Sequence, residues 1–205
     1  MWPWEHALFA YLLYSIGSRL LLRRPPDGAA ALAVVFASVA PDLIDKPLAW
    51  QFGIVSSGYG IAHSIFIAVP LSALAIWLAR RAGRAPVGYA VAVGYLSHLV
   101  GDIIPIYVEE GELSLDPIIW PLGERSSTDH SQGFLDRFTE LFVPYIADLQ
   151  VELLTFEPSL YLLFQLVVAA FAVFLWIADG MPVLSDGYAM LKARLSAHSP
   201  DNTAD

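Results

Sequence analysis

The 205-residue sequence contains no cysteine, which excludes disulfides, thiolate metal sites and cysteine nucleophiles. Positive charge is scarce as well. Eleven Lys and Arg stand against twenty Asp and Glu, for a formal net charge of −9. A nucleic-acid partner wants a basic face, so no nucleic acid is expected as a ligand. Charged residues make up only 15% of the chain while 57% are hydrophobic, and the mean hydropathy is +0.57. That is too apolar for an ordinary soluble protein. Several stretches reach the ~20 apolar residues needed to cross a hydrocarbon core, so the chain reads as a polytopic membrane protein. No internal repeat is present.

Taken in order, residues 4–22 read as a first membrane helix with Trp2 and Trp4 as interfacial anchors. No positive charge precedes it, while Arg19, Arg23 and Arg24 close it, the reverse of a signal peptide's charge order. Pro25-Pro26-Asp27-Gly28 then breaks the chain. Residues 29–40 form a short helix of small side chains ending at Pro41; at ~1.5 Å per residue it barely spans the core and reads as tightly packed or re-entrant. After a Gly/Ser loop at 51–60, residues 61–78 form the next helix, with His63 in its first turn. Pro86 opens a helix over 87–104 and Pro105 closes it. Residues 105–158 are one long extramembrane region. In it Phe134, Phe138, Leu141, Phe142, Tyr145 and Leu149 recur at the spacing of an amphipathic helix, kinked at Pro144 and lying on the membrane surface. Residues 159–178 form the last span. The expected fold is all-α: about five transmembrane helices, one short or re-entrant, and a long outer loop with an amphipathic helix. Residues 1–180 make one membrane-embedded domain, and 181–205 a polar, partly disordered tail.

Charge fixes the orientation. With five spans, Arg19, Arg23, Arg24, Arg80, Arg81, Arg84, Lys192 and Arg194 fall on one side, which the positive-inside rule makes cytoplasmic. The expected location is the cytoplasmic (inner) membrane, with the N-terminus outside and the C-terminus inside. His6, Asp42, Asp45, His63, His98 and Asp102 then all land near the outer face, although none of them was used to draw the topology. His98 and Asp102 lie four apart, on one face of their helix. At ~1.5 Å per residue they sit roughly 9 Å and 3 Å below its end, in a shallow cavity under the interface. Ionisable groups inside a membrane segment are costly and mark functional sites by default.

Three imidazoles and three carboxylates suit one or two divalent ions, zinc first. Asp42, Asp45, His98 and Asp102 are the expected catalytic residues. Each feature also has a plainer reading. His6 alone is more often an interfacial hydrogen-bonder, Asp42 with Asp45 a helix cap or turn, and His98 with Asp102 a mutually satisfied pair. Ser64 and Ser97 can orient ligands or simply pack helices. Trp120-Pro121-Leu122 reads as an interface anchor or a lip of the cavity. His130 is more simply a solvated loop residue than a further ligand or acid, and His198 falls on the wrong side.

His6, Pro41-Asp42-Leu43-Ile44-Asp45-Lys46-Pro47, Ala62-His63-Ser64, Gly94-Tyr95-Leu96-Ser97-His98-Leu99-Val100-Gly101-Asp102 and Trp120-Pro121 together resemble the YdjM-like group of LexA-regulated, membrane-bound metal-dependent hydrolases. The resemblance covers roughly residues 1–122. It implies a metal-dependent hydrolase whose ligands map onto His6, Asp42, Asp45, His63, His98 and Asp102. Many members have Pro-Asp-x-Asp-His where this chain has Pro-Asp-x-x-Asp-Lys, so Lys46 stands where a histidine is common. The His-x-x-x-Asp element and the order of ligands are also similar to zinc-dependent phospholipase C, whose later histidines and glutamate have no clear match. The function expected is hydrolysis of an ester or phosphoester in a lipid or lipid-linked substrate. A metal or proton transporter, or a scaffold with a closed structural zinc site, are the alternatives.

Overall fold

The computed structural model describes residues 1–123 and 133–197; His130 and His198 lie outside the described residues. Every regular element among those described is helical. Helix α1, Pro3–Gly17, starts on a proline, which has no N–H to lose at that position. It runs into a π-helical turn, Ser18–Leu22, ended by Arg23 in the left-handed region at φ 56°. Helix α2, Gly28–Trp50, is capped by Asp27, whose carboxylate accepts the Ala30 N–H at 2.9 Å.

Contrary to what is expected from the sequence, helix α2 does not stop at Pro41; it runs through Pro41 and Pro47 to Trp50, 23 residues in all. A proline removes one N–H and disturbs the carbonyl four residues back, but leaves the neighbouring rungs intact. In an apolar surrounding, keeping those rungs is better than exposing a whole turn of backbone. Asp42 and Asp45 therefore lie inside a helix rather than around its end. Pro105 is passed in the same way by α4, Ala85–Glu110, which ends only at Gly111 with φ 73°. Helix α3, Ile65–Arg81, is preceded by a 3-10 turn, Ile61–His63, so His63 stands before α3 and not in its first turn. Helices α5, Phe134–Thr155, and α6, Leu160–Ala178, follow. Helix α7, Leu184–Ala197, occupies part of the stretch expected to be a polar tail.

Helix α4 is central, packing on α1, α2 and α3 and touching α6, which itself lies on α1. Small side chains let these helices approach: Ala10, Ala30, Ala31 and Ala90 share a core with Tyr11, Tyr14 and Val34. A Cβ at Gly94 would fall 2.9 Å from the Ala37 Cβ and 3.1 Å from the Ser38 nitrogen, so α4 meets α2 backbone to backbone there. Leu74, Trp77, Leu163, Val167, Phe171 and Phe174 point outward and are exposed. Three helical stretches, Gly28–Trp50, Ala85–Val108 and Leu160–Ala178, are long and apolar enough to cross a membrane. The aromatic stripe of α5 closes on Trp2 near the start of α1, with ring centroids at 5.8 Å for Phe138, 5.3 Å for Phe142 and 4.9 Å for Tyr145.

Candidate metal centre

Four elements converge near the start of α1. Its second turn supplies His6, the latter half of α2 supplies Asp42 and Asp45, the 3-10 turn supplies His63, and α4 supplies His98 and Asp102. The three histidines and Asp45 are fully buried, and Asp42 and Asp102 are 5% exposed.

Hydrogen bonds decide which ring nitrogens face the centre. His98 Nδ1 lies 2.6 Å from the Ser38 carbonyl oxygen. A carbonyl only accepts, so Nδ1 carries the proton and Nε2 is left with a lone pair. Pro41, three residues beyond Ser38, has no N–H to offer the carbonyl of Ala37, so the α2 ladder is already interrupted here. His63 is fixed from its other side. Asp45 Oδ2 accepts the backbone N–H of Gly60 at 2.9 Å and of His63 at 3.0 Å, and the His63 Nδ1–H at 2.8 Å. That holds the turn against α2 and turns His63 Nε2 toward His98. The two Nε2 atoms are then 3.0 Å apart. Two lone pairs at that distance repel unless a proton or a cation lies between them.

Carboxylates complete the set. Asp42 Oδ1 lies 3.4 Å from His63 Nε2 and 3.8 Å from His98 Nε2; Asp102 Oδ2 lies 3.4 Å and 3.3 Å from the same atoms. Around a cation with bonds of about 2.0–2.2 Å, tetrahedral donors stand roughly 3.3–3.6 Å apart, and the observed separations bracket that range. His6 stacks on His98 with centroids 3.9 Å apart, and its Nε2 is 3.2 Å from Asp102 Oδ1. Two triads result whose ligand atoms lie within 4.8 Å of one another, His6–His98–Asp102 and Asp42–His63–His98, sharing His98. Both ring nitrogens of His6, both oxygens of Asp42 and Asp102 Oδ2 are buried without a hydrogen bond. Their remaining contacts are ionic. Lys46 Nζ is 2.5 Å from Asp42 Oδ2, and the N-terminal amine is 3.1 Å from Asp102 Oδ1. Buried polar atoms without partners are rare in folded proteins, and two of these, Asp42 Oδ1 and Asp102 Oδ2, lie together beside the Nε2 atoms of His63 and His98. The donor set fits a divalent cation.

The YdjM inner membrane protein family model matches residues 1–182. The chain belongs to the YdjM inner membrane protein family. That span includes every residue of the centre and helices α1 to α6, and it ends before α7. No curated protein and no solved structure matches the chain.

Of the six residues expected at the centre, five bring ligand-type atoms together, and Asp45 stands one bond behind, its Oδ2 on His63 Nδ1. Among the described residues neither the Ser64 nor the Ser97 hydroxyl is hydrogen-bonded to a histidine: Ser64 Oγ donates to the Trp120 carbonyl at 2.7 Å, and Ser97 Oγ to the Gly94 carbonyl at 3.0 Å. Trp120 thereby holds its segment on the turn that carries His63. The sequence reading overlooks two carboxylates. Glu5, beside His6, accepts from the Trp2 N–H, Tyr145, Tyr161 and Gln165. Asp179, at the far end of α6, binds Tyr11 and Ser15 of α1 and Arg19 of the π-helical turn. A stripe of polar side chains every fourth residue, Tyr11, Ser15 and Arg19, was the available signal for the second.

Proposed function

We propose that the chain is a membrane-embedded, divalent-metal-dependent hydrolase acting on an ester or phosphoester bond of a lipid or lipid-linked substrate. The observation that carries this reading is the convergence of buried His63 Nε2, His98 Nε2, Asp42 Oδ1 and Asp102 Oδ2, with the two imidazole nitrogens 3.0 Å apart and each carboxylate oxygen 3.3–3.8 Å from them. Zinc is the preferred ion because two imidazoles and two carboxylates suit its tetrahedral, borderline-soft chemistry. When bound, such an ion supplies Lewis acidity and makes a nucleophile from water available at neutral pH. Within the protein, Asp45 and the Ser38 carbonyl hold His63 and His98 in the tautomers that free Nε2. Asp42 or Asp102 takes the proton released as water attacks. Lys46 is the partly exposed member of the group, with 21% of its side chain accessible, and marks the side from which substrate enters.

The same reading has five spans: α1 with its π turn, then α2, α3, α4 and α6. The N-terminus and the α5 region are outside, and the arginine-rich ends and α7 are cytoplasmic. A metal centre at the outer interface meets lipid head-group bonds at their own depth. A transporter is less well supported, because Asp179, the buried carboxylate at the far end of α1, has both oxygens engaged by Tyr11, Ser15 and Arg19 and offers no open ligand at that depth. Elemental analysis of the purified chain beside His98→Ala/Asp102→Ala is the test. One or two equivalents of zinc or a similar ion, lost in the double variant, are expected, followed by turnover in a phosphodiester and lipid ester screen. A folded wild type that takes up no metal after reconstitution would overturn the reading.

A further inference from the structure

A cavity of about 340 Å³ opens between the C-terminal part of α4, α5 and the start of α6, separate from the metal centre. Tyr145, Tyr161 and Gln165 contribute to its wall. Their side chains donate to Glu5 at 3.2, 2.7 and 2.7 Å, which fixes all three around one carboxylate. Burial and the Glu5 charge push the Tyr145 phenol up to about 12, so it stays a donor across the physiological range. Asp148 and Glu152, one turn apart on α5, face the same space. Glu152 accepts the Ser159 N–H at 2.8 Å, while Asp148 makes no hydrogen bond or ion pair among the described residues. Val108 of α4 gives an apolar side. No cationic side chain lines the cavity.

We infer that this cavity binds an alkylammonium group, carried by the head group of a zwitterionic phospholipid or by a free quaternary amine. Like charges one helical turn apart repel, and a cation seated beside Asp148 and Glu152 relieves that repulsion. Two tyrosine rings in the wall add the attraction of an aromatic quadrupole for a partly desolvated cation. The volume falls within the range of small-ligand sites and exceeds what a bare metal ion requires. A free anion meets only carboxylates and is rejected. Nothing here requires the hydrolase reading to hold, since binding is measured without turnover or metal.

The test is isothermal titration of the full chain in neutral maltoside micelles. The probes are dihexanoylphosphatidylcholine and dihexanoylphosphatidylglycerol, which share chains and phosphodiester but differ in the ammonium. The choline lipid should bind about tenfold more tightly. Asp148→Asn/Glu152→Gln should bring the ratio close to one, while Asp136→Asn/Glu140→Gln, the same charge change elsewhere on α5, should leave it. Tetramethylammonium chloride added in competition identifies the source: displacement of the choline lipid assigns the site to any small ammonium, and failure to displace assigns it to the lipid head group. Equal affinities in the wild type, an unchanged ratio in Asp148→Asn/Glu152→Gln, or an equal loss in Asp136→Asn/Glu140→Gln would each overturn the inference.

Discussion

Two buried acidic clusters sit at opposite ends of α1, and they differ in how their oxygens are used. At one end, Asp179 Oδ1 accepts from Arg19 Nε at 2.9 Å and Nη2 at 2.5 Å, and Oδ2 from Tyr11 at 2.8 Å and Ser15 at 2.7 Å. Both oxygens are engaged, and the cluster fastens α6 to α1. At the other end, Asp42 and Asp102 are as deeply buried, yet three of their four oxygens have no hydrogen bond. Burial of charge is common to both. What separates a structural clamp from a candidate binding centre is that both Asp179 oxygens accept hydrogen bonds, whereas Asp42 Oδ1 and Asp102 Oδ2, side by side with two imidazole nitrogens, accept none.

The largest effect that would sharpen this contrast is expected at the clamp. Asp179→Ala leaves the buried Tyr11 hydroxyl and Ser15 hydroxyl without an acceptor and Arg19 without its partner. Stability should fall by about 2–5 kcal/mol, with metal content per folded chain unchanged. Thermal unfolding in detergent, with elemental analysis of the soluble fraction, measures both. Loss of metal with no change in stability would reverse the assignment of the two clusters. At the other end, Asp45→Ala frees His63 from its fixed tautomer and should weaken divalent-ion affinity 10- to 100-fold, read by competition with a fluorescent chelator. Unchanged affinity would mean that Asp45 does not position His63.

A smaller effect is expected from Gly101→Ala. The added Cβ would lie 2.9 Å from His6 Nδ1 and 3.0 Å from its Cε1, so the ring must shift. Overpacking of this kind costs about 1–3 kcal/mol. His6 belongs to only one of the two triads that share His98, so part of the ion stoichiometry should be lost before the rest. Retention of full stoichiometry and stability would show that His6 can move without consequence. The smallest effect belongs to Asp27→Ala, which removes the cap of α2 at the end away from the centre. It should lower stability by about 1 kcal/mol and leave metal affinity alone.

Much of this arrangement was legible from residue order. The His98/Asp102 spacing and the placement of His6, Asp42 and His63 at one end follow from helical periodicity and the distribution of arginine. The distinct roles of Asp42 and Asp45 were not legible. They depend on how the loop before His63 folds back to deliver the Gly60 and His63 N–H groups to one oxygen, and no periodicity encodes that. Pro41 and Pro105 misled for a different reason. A proline ends a helix readily in water, where freed carbonyls are solvated, but an apolar surrounding offers no such relief and the helix carries on. Glu5 and Asp179 went unread because their partners lie far away in sequence, on α5 and α6 in one case and α1 in the other. The aromatic stripe of α5 was visible, but that it would close on Trp2 was not.

The long separations in these contacts also impose an order on biogenesis. Ser38 waits 60 residues for His98, and Glu5 waits 160 residues for Gln165. At roughly 5–20 residues per second of translation, the first partner emerges about 3–12 s after Ser38 and the second about 8–32 s after Glu5. The first helix is therefore made carrying a histidine and a glutamate most of whose partners have still to be synthesised. The ribosome delivers the half that carries the candidate metal centre first, and the α5–α6 hairpin arrives afterwards to latch onto Glu5.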